Sequence, residues 1–173
     1  MKILVNRNFY RLLSGVVLLF IQADFIIAQT EKEITAIRAE VAAINLGAAK
    51  YSKTTKDVEG VTLEGTEATY FRSAEKLRKI TAKMYGETYN ATGEFYYRDG
   101  KLIFAFIKRN QYDAQIGMDE PPKVVRAEER RFYFDGDKLI RLLIGKKELK
   151  SSGARYSELK DEINGISSKL TNF

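Results

Sequence analysis

The sequence of 173 residues predicts an α+β domain: an antiparallel meander of about six strands in three hairpins, with an N-terminal and a C-terminal helix packed on one face. Aromatic pairs recur ahead of a polar turn and a leucine, as Tyr70-Phe71 then Leu77, Tyr96-Tyr97 then Leu102, and Tyr133-Phe134 then Leu139. Apolar residues near both ends of the chain recur at steps of three and four, the spacing of one helix face. The two prolines fall together in segment 112–122, outside all of these elements.

In chain order, Lys2, Arg7 and Arg11 precede the apolar run 12–21, and Phe25-Ile26-Ile27-Ala28 leads into Gln29-Thr30-Glu31. This pattern reads as a secretory signal peptide over 1–28, cut after Ala28. A cut after Ala23 would instead leave Phe25-Ile26-Ile27 exposed at the new terminus. Gln22 and Asp24 interrupt the run short of the about 20 apolar residues a span requires, so no stable transmembrane anchor is expected after cleavage. The expected product is an exported, periplasmic or extracellular single domain over 29–173. It holds no cysteine, so stability must come from an apolar core rather than disulfides. Losing Lys2, Arg7, Arg11 and Asp24 lowers the net charge from +6 to +4. Basic and acidic residues then mostly alternate, as in the run from Arg126 to Arg131, which reads as a solvated face and not a nucleic-acid surface.

The first mature element is a helix over about 31–48. Thr30-Glu31-Lys32-Glu33 has the form of a capping box, and Ile34, Ile37, Val41, Ile44 and Ala48 make one stripe. Polar residues from Tyr51 to Lys56 end it. Hairpins are expected at about 66–85, 93–111 and 123–145. The second is the clearest, because Asp99-Gly100 suits a turn in which both residues take positive φ. The first should turn more loosely through Arg72 to Lys76 and the third at Asp135-Gly136-Asp137. In strand 102–107, Leu102, Phe104 and Phe106 alternate with Ile103, Ala105 and Ile107, so both faces are apolar and the strand is central. The starts Tyr70, Tyr96 and Tyr133 lie 26 and 37 positions apart, and removing the 11 residues of 112–122 restores 26. Finally Tyr156, Leu159, Ile163, Ile166 and Leu170 predict a helix over about 155–170, within which Gly165 costs about 1 kcal/mol.

The chain has no histidine and no cysteine, which excludes Ser-His-Asp and Cys-His nucleophiles, thiol redox chemistry and the common zinc ligand sets. Asp135-Gly136-Asp137 opens like a calcium loop, but its twelfth position is Lys146, and Gly145-Lys146-Lys147 lacks the rest of a phosphate loop. No metal, cofactor or catalytic residue is assigned. Glu67, Glu94, Glu128 and Glu129 remain as donors for a carboxylate-dependent hydrolase acting on glycan or another envelope polymer.

The motif Tyr96-Tyr97-Arg98-Asp99-Gly100-Lys101-Leu102 resembles MORN-type hairpin repeats, a resemblance that implies contacts with lipid or protein. Residues 30–145 also resemble a group of uncharacterised bacterial envelope proteins, with Ile44-Asn45 in an isoleucine-rich first helix followed by aromatic hairpins. The leading expectation is a non-enzymatic exported protein that binds an envelope protein or an amphipathic ligand. Its surface would be the open sheet face, with Tyr96, Tyr97 and Tyr133, or the 112–122 loop, with Tyr112, Ile116 and Met118. Besides the hydrolase, a lipid carrier is the further alternative, requiring an apolar cavity between sheet and helix.

Overall fold

The computed structural model describes residues 28–117 and 121–172; most of the expected signal peptide, and Met118 of the expected binding loop, lie outside them. The chain divides into two compact units, Met1–Ala36 and Ile37–Phe173. Residues 28–47 are helical (α1), so Thr30 lies inside a helix already formed at residue 28 and is not its cap. In the described part of the first unit Ile34 is buried.

The second unit is built on an eight-stranded antiparallel sheet whose order in space is its order in sequence. Its strands are β1 (Ser52–Asp57), β2 (Thr66–Ser73), β3 (Lys76–Gly86), β4 (Tyr89–Arg98), β5 (Lys101–Tyr112), β6 (Val124–Asp135), β7 (Lys138–Ile144) and β8 (Lys147–Glu148). The three expected hairpins are β2–β3, β4–β5 and β6–β7. The strands in excess of six are the two edges. All six side chains of β1 are exposed, so it carries no apolar alternation, and pairing of Ser52–Asp57 with Glu67–Arg72 is what makes it a strand. Lys53 and Lys56 on this outer strand discourage pairing with another chain. A short 3₁₀ turn, Ala48–Lys50, joins α1 to β1.

All three hairpins close with two-residue turns, the first included. Ala74 and Glu75 have φ of 46° and 63°, matching 48° and 79° at Asp99 and Gly100, while Gly136 leads the third turn at 56°. Each hairpin then carries a β-bulge at the same place, after Phe71, Tyr96 and Tyr133. These residues, rather than Tyr70, Tyr96 and Tyr133, are therefore the equivalent positions of the three units. The extra residue on the returning strand is Arg78, Ile103 or Ile140. A bulge sends two consecutive side chains to one face. Ile103 and Phe104 accordingly sit together, while Leu102 joins the cluster of Ala105 and Ile107, which corrects the strict alternation expected over 102–107.

The helices cover opposite faces of the sheet, not one. The helix α2 (Ala154–Thr171) packs Leu159, Ile163 and Leu170 against Phe95, Tyr97, Phe132 and Leu142. Its ends are tied down by tyrosines: Tyr70 donates to the Leu170 carbonyl at 3.0 Å, Tyr156 to the Leu139 carbonyl at 2.8 Å, and Tyr97 meets Ser167 Oγ at 3.1 Å. On the other face the part of α1 from Ile37 onward packs Ile44 on Tyr96 and Ile103, with Val41 and Phe104 alongside. Glu40 accepts from Arg78 at 3.1 Å and Arg98 at 2.6 Å, and Asn45 Oδ1 accepts from Lys79 at 2.9 Å and Tyr96 at 3.1 Å.

The turn geometry is testable. Glu75 holds a left-handed backbone, which costs an L-residue about 1–2 kcal/mol, so Glu75→Gly should raise stability by about 1 kcal/mol. Gly100→Ala should lower it by about as much, since an added Cβ there meets no atom within 4 Å and only the backbone objects. Both are read as shifts of the urea midpoint at unchanged slope.

Candidate functional site: a cavity under the C-terminal helix

Burial separates the expected binding residues. Tyr96, Tyr97 and Tyr133 are 1%, 1% and 4% exposed, so they do not form an outward aromatic surface. Tyr96 and Tyr133 flank Phe104 on the α1 face, at ring separations of 5.7 Å and 4.8 Å, and Tyr97 points into the α2 core. Burial, then the hydrogen bond to Glu94, raises the Tyr96 pKa; the Asn45 bond opposes this only in part. Tyr112 is half-buried at the end of β5. Ile116 is exposed, held by its N–H on the Glu87 carbonyl at 2.8 Å, beside the exposed Tyr85.

The site that the sheet does build lies on the α2 face, where the side-chain character changes along the strands. On β6 the residues of this face run Phe134, Phe132, Arg130, Glu128 and Arg126; on β5 they run Ala105, Ile107, Arg109 and Gln111. Where the face is still apolar, α2 roofs a cavity of about 340 Å³. Its floor is Met84, Ala91, Ile107 and Phe132, and Ile163 and Ile166 line it from the helix. Gly165 borders the cavity on an exposed part of α2, where an added Cβ would meet nothing within 4 Å. Tyr89 walls one side, with the Arg109 guanidinium stacked 3.6 Å from its ring centroid. The rim is charged: Arg109, Arg130, Glu162 and Lys169, the last donating to the Gly60 carbonyl.

Beyond the rim lies a polar cleft of about 330 Å³ that shares Arg109, Arg130 and Glu162 with the cavity. At its base Glu128, with a side chain 6% exposed, takes Arg126, Arg130 and Arg155. Burial works against the Glu128 carboxylate, but the hydrogen bond and charge of Arg130, with the charges of Arg126 and Arg155, outweigh it and hold the pKa below the ordinary 4.5. Arg130 also donates to Glu162 at 2.9 Å.

The carboxylates expected as hydrolase donors are engaged with cations. Glu67 pairs with Lys83 at 2.8 Å, Glu94 with Lys79 at 3.3 Å and Glu129 with Arg131 at 2.8 Å, on the face opposite Glu128. No helix among the described residues is long and apolar enough to cross a membrane. Protein-family models, curated proteins and solved structures yield no match, so the chain's own residues carry the reading.

Sequence alone gives Arg126–Arg131 as one solvated face and singles out neither Arg109 nor Glu162. The period of two was the available signal: Glu129 and Arg131 point to the open side, Glu128 and Arg130 to the covered one. Because Glu128 is buried and compensates the buried Arg130 as well as the exposed Arg126 and Arg155, Glu128→Gln should cost about 3 kcal/mol at pH 7. Its folded pKa is lowered, so this stabilisation is full above the unfolded carboxylate pKa and fades as pH falls through the folded one. Urea titrations of wild type and variant should therefore diverge at neutral pH and converge in acid.

Proposed function

We propose that the protein is an exported, non-enzymatic binding protein for a small amphipathic ligand, held in the cavity between α2 and the sheet. The carrying observation is that cavity: about 340 Å³, apolar in floor and roof, with charge confined to its rim. Pockets of roughly 300–1,000 Å³ lined by apolar groups with a few placed polar ones are the usual form of small-ligand sites. A purely structural interior would close such a space, since lost dispersion contacts make voids unfavourable. Engagement of the acidic residues by arginine and lysine favours binding over hydrolysis, because a general acid needs a carboxyl held above its ordinary pKa, and Glu128 is shifted the other way. The ligand site thus moves from the tyrosine face expected from sequence to the face beneath α2.

Solvent extraction of the purified protein followed by mass spectrometry should release a co-purifying amphiphile, and a fluorescent acyl probe should bind. Ile166→Trp, which puts a larger side chain into the cavity from the helix, should abolish both, while Gly165→Ala at the exposed neighbouring position should retain both and stabilise the helix by about 1 kcal/mol. An unaltered probe affinity in Ile166→Trp would remove the cavity from the account.

Export belongs to the same proposal and rests on the basic, apolar and small-residue order of the first 28 residues. Cell fractionation with N-terminal sequencing should recover a chain beginning at Gln29 outside the cytoplasm; an intact Met1 terminus in the cytosolic fraction would refute it.

A further inference from the structure

We propose that the arginine-rich cleft is the head-group half of the same site, that it selects amphiphiles bearing an anion, and that Glu162 occupies the anion's place when no ligand is bound. This rests on the cavity reading above. The cavity and the cleft meet at Arg109, Arg130 and Glu162, so a chain lying under α2 brings its head to these side chains. Four arginines line the cleft, Arg109, Arg126, Arg130 and Arg155, against Glu128, Glu158 and Glu162. The cleft keeps a cationic surplus even with every carboxylate ionised, and solvent screening is weakest at its buried base, Arg130 and Glu128.

The two carboxylates on Arg130 differ in how firmly they are held. Glu128 is 6% exposed at its side chain and bound by three guanidiniums, so it is a permanent part of the wall. Glu162 stands on the flank of α2, its side chain 37% exposed, with Arg130 at 2.9 Å and Arg109 only at 3.8 Å. Arg130 is 10% exposed; its Nε donates to Glu128, and its Nη1, which donates to Glu162, cannot be left without an acceptor at low cost. A ligand carboxylate or phosphate offers the same planar or tetrahedral oxygens that guanidinium groups take in paired hydrogen bonds. It would replace Glu162 while the Glu128 pairing stays intact. Arg109, braced on Tyr89 at 3.6 Å, is already oriented toward that position.

The experiment compares dodecanoate, dodecyl phosphate and dodecanol, all below their aggregation thresholds, by displacement of the fluorescent acyl probe. Wild type should bind the anionic chains roughly tenfold more tightly than the alcohol. Glu162→Gln removes the competing carboxylate and should tighten both anions several-fold relative to the alcohol, whereas Arg109→Gln should weaken both anions roughly tenfold relative to it. Dodecanoate bound above dodecyl phosphate would identify a fatty-acid-like ligand, and the reverse order a phosphate-bearing lipid; either supports the proposal. Equal binding of all three chains, still lost in Ile166→Trp, would overturn the head-group assignment and leave the cavity reading standing. Weaker anion binding in Glu162→Gln would also overturn it. Failure of every chain to bind would end both.

Discussion

Tyr96 and Tyr97 follow one another along β4, and the pleat of the strand sends their side chains to opposite sides of the sheet. Both are 1% exposed, so neither side can be left to water. Each phenol also needs a polar partner, because an orphaned buried hydroxyl costs about 1–3 kcal/mol. Tyr96 finds Asn45 and Glu94, Tyr97 finds Ser167, and two of those partners stand on the two helices. A single pair of adjacent residues thereby demands a helix on each face, and the three-layer order of α1, sheet and α2 follows from it.

The repeated bulge is the second constraint. Placing an extra residue after the same turn position in every hairpin delivers two consecutive side chains to the α1 face at one level of the sheet. In the first hairpin these are Arg78 and Lys79, which reach Glu40 and Asn45; in the second they are Ile103 and Phe104, which pack beside Ile44. The α1 face thus gains polar anchors at one side and apolar filling in the middle. On β6, which carries no extra residue between Arg126 and Phe134, the α2 face keeps simple alternation, and its gradient from Phe134 to Arg126 is what opens an apolar space onto a charged rim.

Much of this was legible in the residues. Aromatic pair, turn and leucine located all three hairpins, and the three-four spacing located α2 within a residue at each end. Strand β1 was not, because an edge strand exposed on both sides has no reason to alternate. The apolar character of both sides of 102–107 already implied two covers, and the expectation of both helices on one face conflicted with it. The charged half of the site was half-legible: alternate residues from Arg126 to Arg131 belong to different faces, but which face is covered depends on where α2 docks. The cavity itself could not be read, since its volume depends on the distance between helix and sheet, and Gly165 reads in sequence only as a weak point in a helix.

Because every strand pairs with its immediate neighbour in the chain, the sheet can zip up through short loop closures, each with a small entropic penalty. The bond from Tyr70 to Leu170 is different: it joins residues 100 positions apart, and nothing local prepares it. Docking of α2 is therefore the long-range event of this topology, and the roof over the cavity exists only once it has happened. Any occupant of that space binds the completed molecule alone and draws the closing step forward by mass action, so the same helix that shelters the ligand is held in place by it.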